Sequence, residues 1–227
     1  MARFLRGALR LVLALAIAAP LVLLALIALW SALPPMSTLM LARFAGGKRV
    51  ERIYVPLERI APSLAAAVVM SEDGRFCRHS GVDWDALNEV LEDADEDGPS
   101  RGASTIAMQT AKNLFLWPSR SVLRKGLEIP LALALDFFWS KRRVLEVYLN
   151  VAEWGPNGEF GAEAAARAAF GKSAAALTLR ESALLATTLP NPLKRLPGRP
   201  RAGQVRLAER VAARVGQAGA WLDCLRH

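Results

Sequence analysis

The chain has 227 residues, a net charge of +8 and an apolar share of 53 %, which allows one sizeable domain plus an appendage. Its basic balance suits anionic lipid, phosphate-bearing substrates or nucleic acid. With neither zinc-finger spacing nor an aromatic RNP-like run, a nucleic-acid reader is excluded.

The apolar excess gathers near the N-terminus, where no residue from Leu11 to Trp30 is charged. As a helix such a run, about 20 residues, rises about 30 Å, the thickness of a bilayer's hydrocarbon core. Pro20 lies inside it, which a membrane helix tolerates. Arg3, Arg6 and Arg10 precede the run, and the next basic residue is Arg43. That asymmetry predicts a cytoplasmic N-terminus over 1–10, a transmembrane helix over 11–33 and the bulk of the chain on the far side. A cleaved signal peptide would have a shorter apolar region and a small-x-small site, and "WSALPP" is a poor one. Cys77 and Cys224 then face an oxidising space, and the sequence leaves open whether they pair.

Residues 34–50 read as a linker ending at Gly46–Gly47, and "RIYVPLERI" as a short extended segment. Beyond them the pattern is helical. Ser63 is placed to cap "LAAAVVM" and Asp83 to cap "WDALNEVL". Asp93, Asp95, Asp97 and Gly98 match half of a calcium loop. The other half fails, with Ser100 at the eighth position and Ser104 where a bidentate Glu is needed, so the segment reads as a solvated acidic loop. "STIAMQTAKNLFL" is a third helix, and "SVLRKGLEIPLALALDFFWSKRRVLEVYLN" is helical at both ends, with Pro130 expected to kink or divide it. "GAEAAARAAFG" is a small-residue helix ended by Gly171. Thr178 and Glu181 form a capping box, which accounts for Glu181 without catalysis. The last helix is amphipathic, Val205, Ala208, Val211 and Val215 on one side and Arg206, Arg210 and Arg214 on another. With almost no strand alternation, the fold class is mainly α.

Three clusters could do chemistry. In "SEDGRFCRHSG", Glu72 lies beside Asp73, and a carboxylate next to a second one or to apolar surface gains a raised pKa and can act as a base. Phe76 and His79 follow within the same eleven-residue stretch. The plainer reading is a helix end with solvated acids and a packed Phe. Thr105, Gln109 and Lys112 are spaced i, i+4, i+7 on one helix face, a hydroxyl, an amide and an ammonium that suit an oxyanion or a sugar. Arg124, Lys125 and Glu128 are either a local salt bridge or a phosphate clamp beside a second carboxylate. Gly155, Gly158 and Gly161 are spaced GxxGxxG with no strand before them, so they are no dinucleotide loop, and His79 has no histidine partner in any zinc spacing.

Taken together, "EDGRFCRHSGVD", "RGASTIAMQTAKNLFL", "RKGLEIPLALALDFFWSKRRVLEVYLN", "EWGPNGEFGAEAAARAAFGK" and "LTLRESALLATTLPNP" resemble the five successive motifs of the peptidoglycan glycosyltransferases, over about residues 51–195. Ala103 stands where that family usually has a second Gly, and Pro130 lies close after Glu128. The resemblance implies a lysozyme-like helical glycosyltransferase domain over 51–227, in the periplasm beside the bacterial inner membrane. It implies polymerisation of lipid II into glycan strands, with inversion and release of undecaprenyl diphosphate. Glu72 would be the general base. Lys112, Arg124 and Lys125 would hold the diphosphate. Glu128 would orient these cations or support a divalent ion, Mg or Mn, at the diphosphate. Asp73, Phe76, His79, Ser104, Thr105, Gln109 and Asn113 would shape the substrate site. The expected partners are lipid II, the growing strand, the membrane and other cell-wall synthesis proteins. No S-x-x-K occurs, so a penicillin-sensitive transpeptidase half is not expected. Two rivals remain at this stage: a glycan-cleaving lysozyme-like enzyme, and a non-enzymatic anchored scaffold.

Overall fold

The computed structural model describes residues 2–92, 102–119 and 121–226. The half calcium motif lies outside them, except for Ser104. The described chain falls into two units, Met1–Pro34 and Pro35–His227.

The first unit is one helix, α1 (Ala2–Trp30). It starts well before Leu11, because Arg3, Arg6 and Arg10 are good helix formers and nothing interrupts them. Pro20 does not end it. Among the described residues it is the one helix long and apolar enough to cross a membrane.

The stretch read as a linker is not one. It holds α2 (Thr38–Ala45), capped by the Ser37 hydroxyl, which accepts the Met40 N–H at 3.0 Å. Met40 is buried, and an apolar turn that can bury itself is worth folding even when only eight residues long. The extended segment shrinks to β1 (Glu51–Arg52), which pairs in parallel with β2 (Glu159–Phe160), Glu51 opposite Glu159. A 3₁₀ turn, Leu57–Arg59, follows β1.

Next comes α3 (Pro62–Glu72). Its cap is not Ser63. Pro62 occupies the first turn, where its missing N–H costs nothing, and the Ser63 hydroxyl lies 2.9 Å from Ser182 Oγ. Leu64 to Val69 are all buried, so this is a central helix. It packs against α9 (Leu179–Ala186) and α10 (Ala202–Gln217). The capping box of Thr178 and Glu181 opens α9 as expected, and the α10 arginines 206, 210 and 214 are exposed opposite buried Ala208 and Val211.

The other half of the domain is α5 (Ile106–Phe115) packed on α6 (Val122–Phe138) and α7 (Lys141–Val151). Pro130 lies within α6 and does not divide it. The carbonyl it leaves without a donor belongs to exposed Gly126, where water can take the place of the lost bond. The break comes at Trp139, and Ser140 caps α7 by accepting the Arg143 N–H at 3.2 Å. Asp83 caps α4 (Trp84–Glu92) through the Ala86 N–H at 3.1 Å. In front of α8 (Ala162–Phe170), Gly158 has φ +87°, and a Cβ there would sit 2.0 Å from the Arg49 carbonyl oxygen. That close chain crossing requires a glycine at position 158. Cys77 and Cys224 are joined in a disulfide.

Candidate active site

Glu72 is the last residue of α3 and is half-buried where that helix faces α5. Its Oε2 accepts from Gln109 Nε2 at 3.1 Å, and Ser71 Oγ lies 3.4 Å from Oε1. Burial pushes the carboxyl above the ordinary glutamate range. The hydrogen bonds of Gln109 and Ser71 and the charges of Arg195 and Lys112 act against that rise. Asp73 is not the cause, contrary to the reading of two adjacent carboxylates.

Asp73 turns away. Its Oδ2 accepts the Ile106 N–H at 2.9 Å, at the start of α5, and its Oδ1 lies 2.9 Å from His79 Nε2. A carboxylate at a helix N-terminus satisfies a donor that has no partner in its own helix. Phe76 cannot sit above Glu72 on a continuing helix, because α3 has ended. It is wholly buried, 4.9 Å from Lys141 Nζ, which donates to the His79 carbonyl at 2.6 Å. Thr105 is also a framework residue. Its hydroxyl donates to the Gly81 carbonyl at 2.6 Å and accepts the Met108 N–H at 3.1 Å as the cap of α5. The polar stripe on α5 therefore divides. Thr105 faces inward, Gln109 meets Glu72, and Lys112 feels the charges of both Glu128 and Glu72.

That carboxylate, Glu128, is 2 % exposed. Arg124 Nη1 donates to Oε1, and Lys125 Nζ donates to Oε2 at 2.8 Å and to Ser104 Oγ. Arg124 Nε also donates to the Ser119 carbonyl at 2.6 Å. Burial lowers the affinity of Lys112 for its proton. Glu128 works against this, whereas Arg124 and Lys125 add to it. A cavity of about 580 Å³ opens here, lined by Lys112, Asn113, Trp117, Ser119 and Arg124 among others. The salt bridge is present: one buried carboxylate holds two cations, and Arg124 lines the cavity.

This donor set does not fit a resident divalent cation. Both Glu128 oxygens are taken by cations, and among the described residues no three His, Cys, Asp or Glu side chains gather.

Two residues of the site escaped the sequence reading. Tyr148 is buried on α7, and its hydroxyl donates to Gln109 Oε1 at 2.9 Å. Arg195, in the segment after α9, lowers the proton affinity of Glu72 and donates to the Thr187 carbonyl at 2.7 Å. Neither lies near Glu72 in sequence, so only helix packing brings them in. Beside the cavity, "NLFLWPS" is split: Leu114 and Leu116 are buried and Trp117 is exposed. The apolar surface continues over Val122, Leu123, Leu127 and Leu133 to Phe137, all exposed.

The fold and site define a mostly helical domain with a buried carboxylate beside a cation-lined cavity. A sequence profile of the family described as Transglycosylase matches residues 38–215. The chain is 55 % identical over 192 residues to the biosynthetic peptidoglycan transglycosylase of Brucella suis biovar 1 (strain 1330), covering 85 % of each chain. It is 53 % identical over 219 residues to the protein of that name from Rhodopseudomonas palustris (strain HaA2), covering 96 % of this chain and 95 % of the relative. Against that of Rhizobium meliloti (strain 1021) the identity is 53 % over 191 residues, covering 84 % and 80 %. The chain belongs to the transglycosylase family, whose domain is lysozyme-like.

Proposed function

We propose that this protein polymerises lipid II into peptidoglycan glycan strands, with Glu72 as general base. The observation that carries the reading is the pairing of a half-buried Glu72, its proton affinity raised by burial, with a nearby cavity lined by Lys112 and Arg124. Glu72 takes the proton of the acceptor sugar's 4-hydroxyl. That oxygen forms a bond to the anomeric carbon of the donor, with inversion, while the bond from that carbon to the diphosphate oxygen breaks. Negative charge builds on the departing undecaprenyl diphosphate, where Lys112 and Arg124 receive it. Glu128 touches no reacting atom in this scheme. It holds Arg124 and Lys125 in place and opposes the loss of the Lys112 proton. Ser104 positions Lys125, Asn113 lines the cavity, and Asp73, Phe76, His79 and Thr105 fix the geometry of the wall. No step is assigned to a protein-bound metal.

The site works at a membrane surface in this proposal. α1 anchors the chain in the inner membrane with Arg3, Arg6 and Arg10 in the cytoplasm. The disulfide supports a periplasmic domain, since such bonds persist in oxidising compartments. The exposed apolar face from Trp117 to Phe137 dips into the outer leaflet and delivers the lipid tail, and other wall-synthesis proteins are expected nearby. The test is the purified chain with labelled lipid II. Long glycan product with equimolar undecaprenyl diphosphate is expected, whereas glycan cleavage or no turnover overturns the reading.

A further inference from the structure

The hydrogen bonds around Glu72 form a directed chain, and we infer that Tyr148 is a positioning residue that sets the proton affinity of the base through Gln109. This rests on Glu72 acting as the base.

A glutamine amide has a donor end and an acceptor end, and exchanging them changes what its neighbour feels. Here the Tyr148 hydroxyl, a donor toward Gln109, holds Oε1 at 2.9 Å. The other end, Nε2, is thereby aimed at Glu72 Oε2, 3.1 Å away. Donation to a carboxylate stabilises the charged form. Were the amide reversed, its oxygen would face Glu72 and favour the protonated acid. Tyr148 can hold its role at any working pH, because burial keeps its proton on, and the charges of Glu72 and Asp73 reinforce this. The arrangement needs three helices: Glu72 ends α3, Gln109 lies on α5 and Tyr148 on α7.

Other charges face Glu72 as well. Lys112 on α5 and Arg195 after α9 both favour the carboxylate, and Arg214 of α10 reaches the Met70 carbonyl at 3.5 Å near the end of α3. Lys112 lines the cavity, where an incoming diphosphate alters its field at Glu72. The amide relay is neutral and buried at its far end, so it favours the ionised base independently of what occupies the cavity.

The experiment measures kcat/KM for lipid II polymerisation against pH with the full chain, since the acid limb reports the free enzyme's base. Tyr148→Phe keeps the ring and removes the donor. Its acid limb should move up by about one pH unit, a tenfold loss of proton-releasing tendency, with activity recovering at higher pH. Gln109→Leu should move the limb the same way, and the double variant should move it no further than Gln109→Leu alone, because the two act through one bond. A thermal melt of each variant separates a loss of fold from a loss of tuning. A uniform drop in activity with the parental acid limb, or additive shifts in the double variant, overturns the relay. If Glu72→Gln is inactive while Tyr148→Phe keeps the parental limb, the relay alone fails. If Glu72→Gln is fully active, the base assignment fails with it.

Discussion

Cys77 is bonded to Cys224 across 147 residues of chain. The bond pins the closing 3₁₀ turn, Gly219–Leu225, to the loop that follows Glu72. Around it Arg78 stacks 5.4 Å from the Trp221 ring, and Arg142 donates to the Leu225 carbonyl. The Gly219–Leu225 turn is thus fixed to the loop that follows α3 and to α7.

A cross-link over so long a loop restricts the unfolded chain, an effect typically worth about 2–4 kcal/mol. Replacing both cysteines by serine should lower thermal stability by that order and leave some activity at low temperature. Thiol labelling adds a test of topology. Protein taken from the membrane should label only after reduction, and labelling without reductant would place the domain in a reducing compartment.

Glu128 faces two cations from a buried position, so Glu128→Ala should destabilise by about 3 kcal/mol, more than a surface ion pair would. The charge-neutral Glu128→Gln gives a sharper readout. Burial already lowers the pKa of Lys112, so its ammonium is lost as pH rises through that lowered value. Glu128 opposes the loss, and without its charge the alkaline limb of the pH–rate profile should move to lower pH. An unmoved alkaline limb would separate Lys112 from that limb.

The run "NLFLWPS" yields two opposite expectations within three residues. Leu116 is buried, so Leu116→Ser should cost about 2–4 kcal/mol of stability. Trp117 and Leu123 are exposed, and their serine variants should stay within about 0.5 kcal/mol of the parent. Turnover should then distinguish a membrane lip from idle surface. The two exposed variants should lose rate on lipid II in liposomes but not on a short-tailed, water-soluble analogue. Equal loss on both substrates would speak against the lip.

How much was legible in the sequence depended on the range of the interaction. Local chemistry read well: the Thr178–Glu181 capping box, the Asp83 cap and the Gly171 stop need only a few neighbouring residues. Glu72, Lys112, Arg124 and Glu128 were picked out through the order of their motifs, and the fold brings Lys112 and Arg124 to one cavity and Arg124 to Glu128. What failed was long-range. Asp73 looked like a partner of Glu72 because they are adjacent, but its carboxylate is taken by a backbone N–H 33 residues on. Ser63 looked like a cap because the serine of Ser182 was invisible. Pro130 was expected to kink or divide its helix; it does not divide it, and nothing in one dimension shows that Gly126 is exposed. The α2 helix looked like a linker until the surface that buries Met40 was assembled. Tyr148 had no signal at all, since its role exists only where α7 meets α5.

The central claim is that Glu72 removes the acceptor's proton, and its most direct measurement is the polymerisation rate of Glu72→Gln on labelled lipid II. The Gln side chain keeps the size and loses the base. The account predicts a folded protein with an unchanged melting profile and a rate lower by about 10²–10⁴, the usual worth of a general base. A folded Glu72→Gln protein that polymerises lipid II at the parental rate would contradict it.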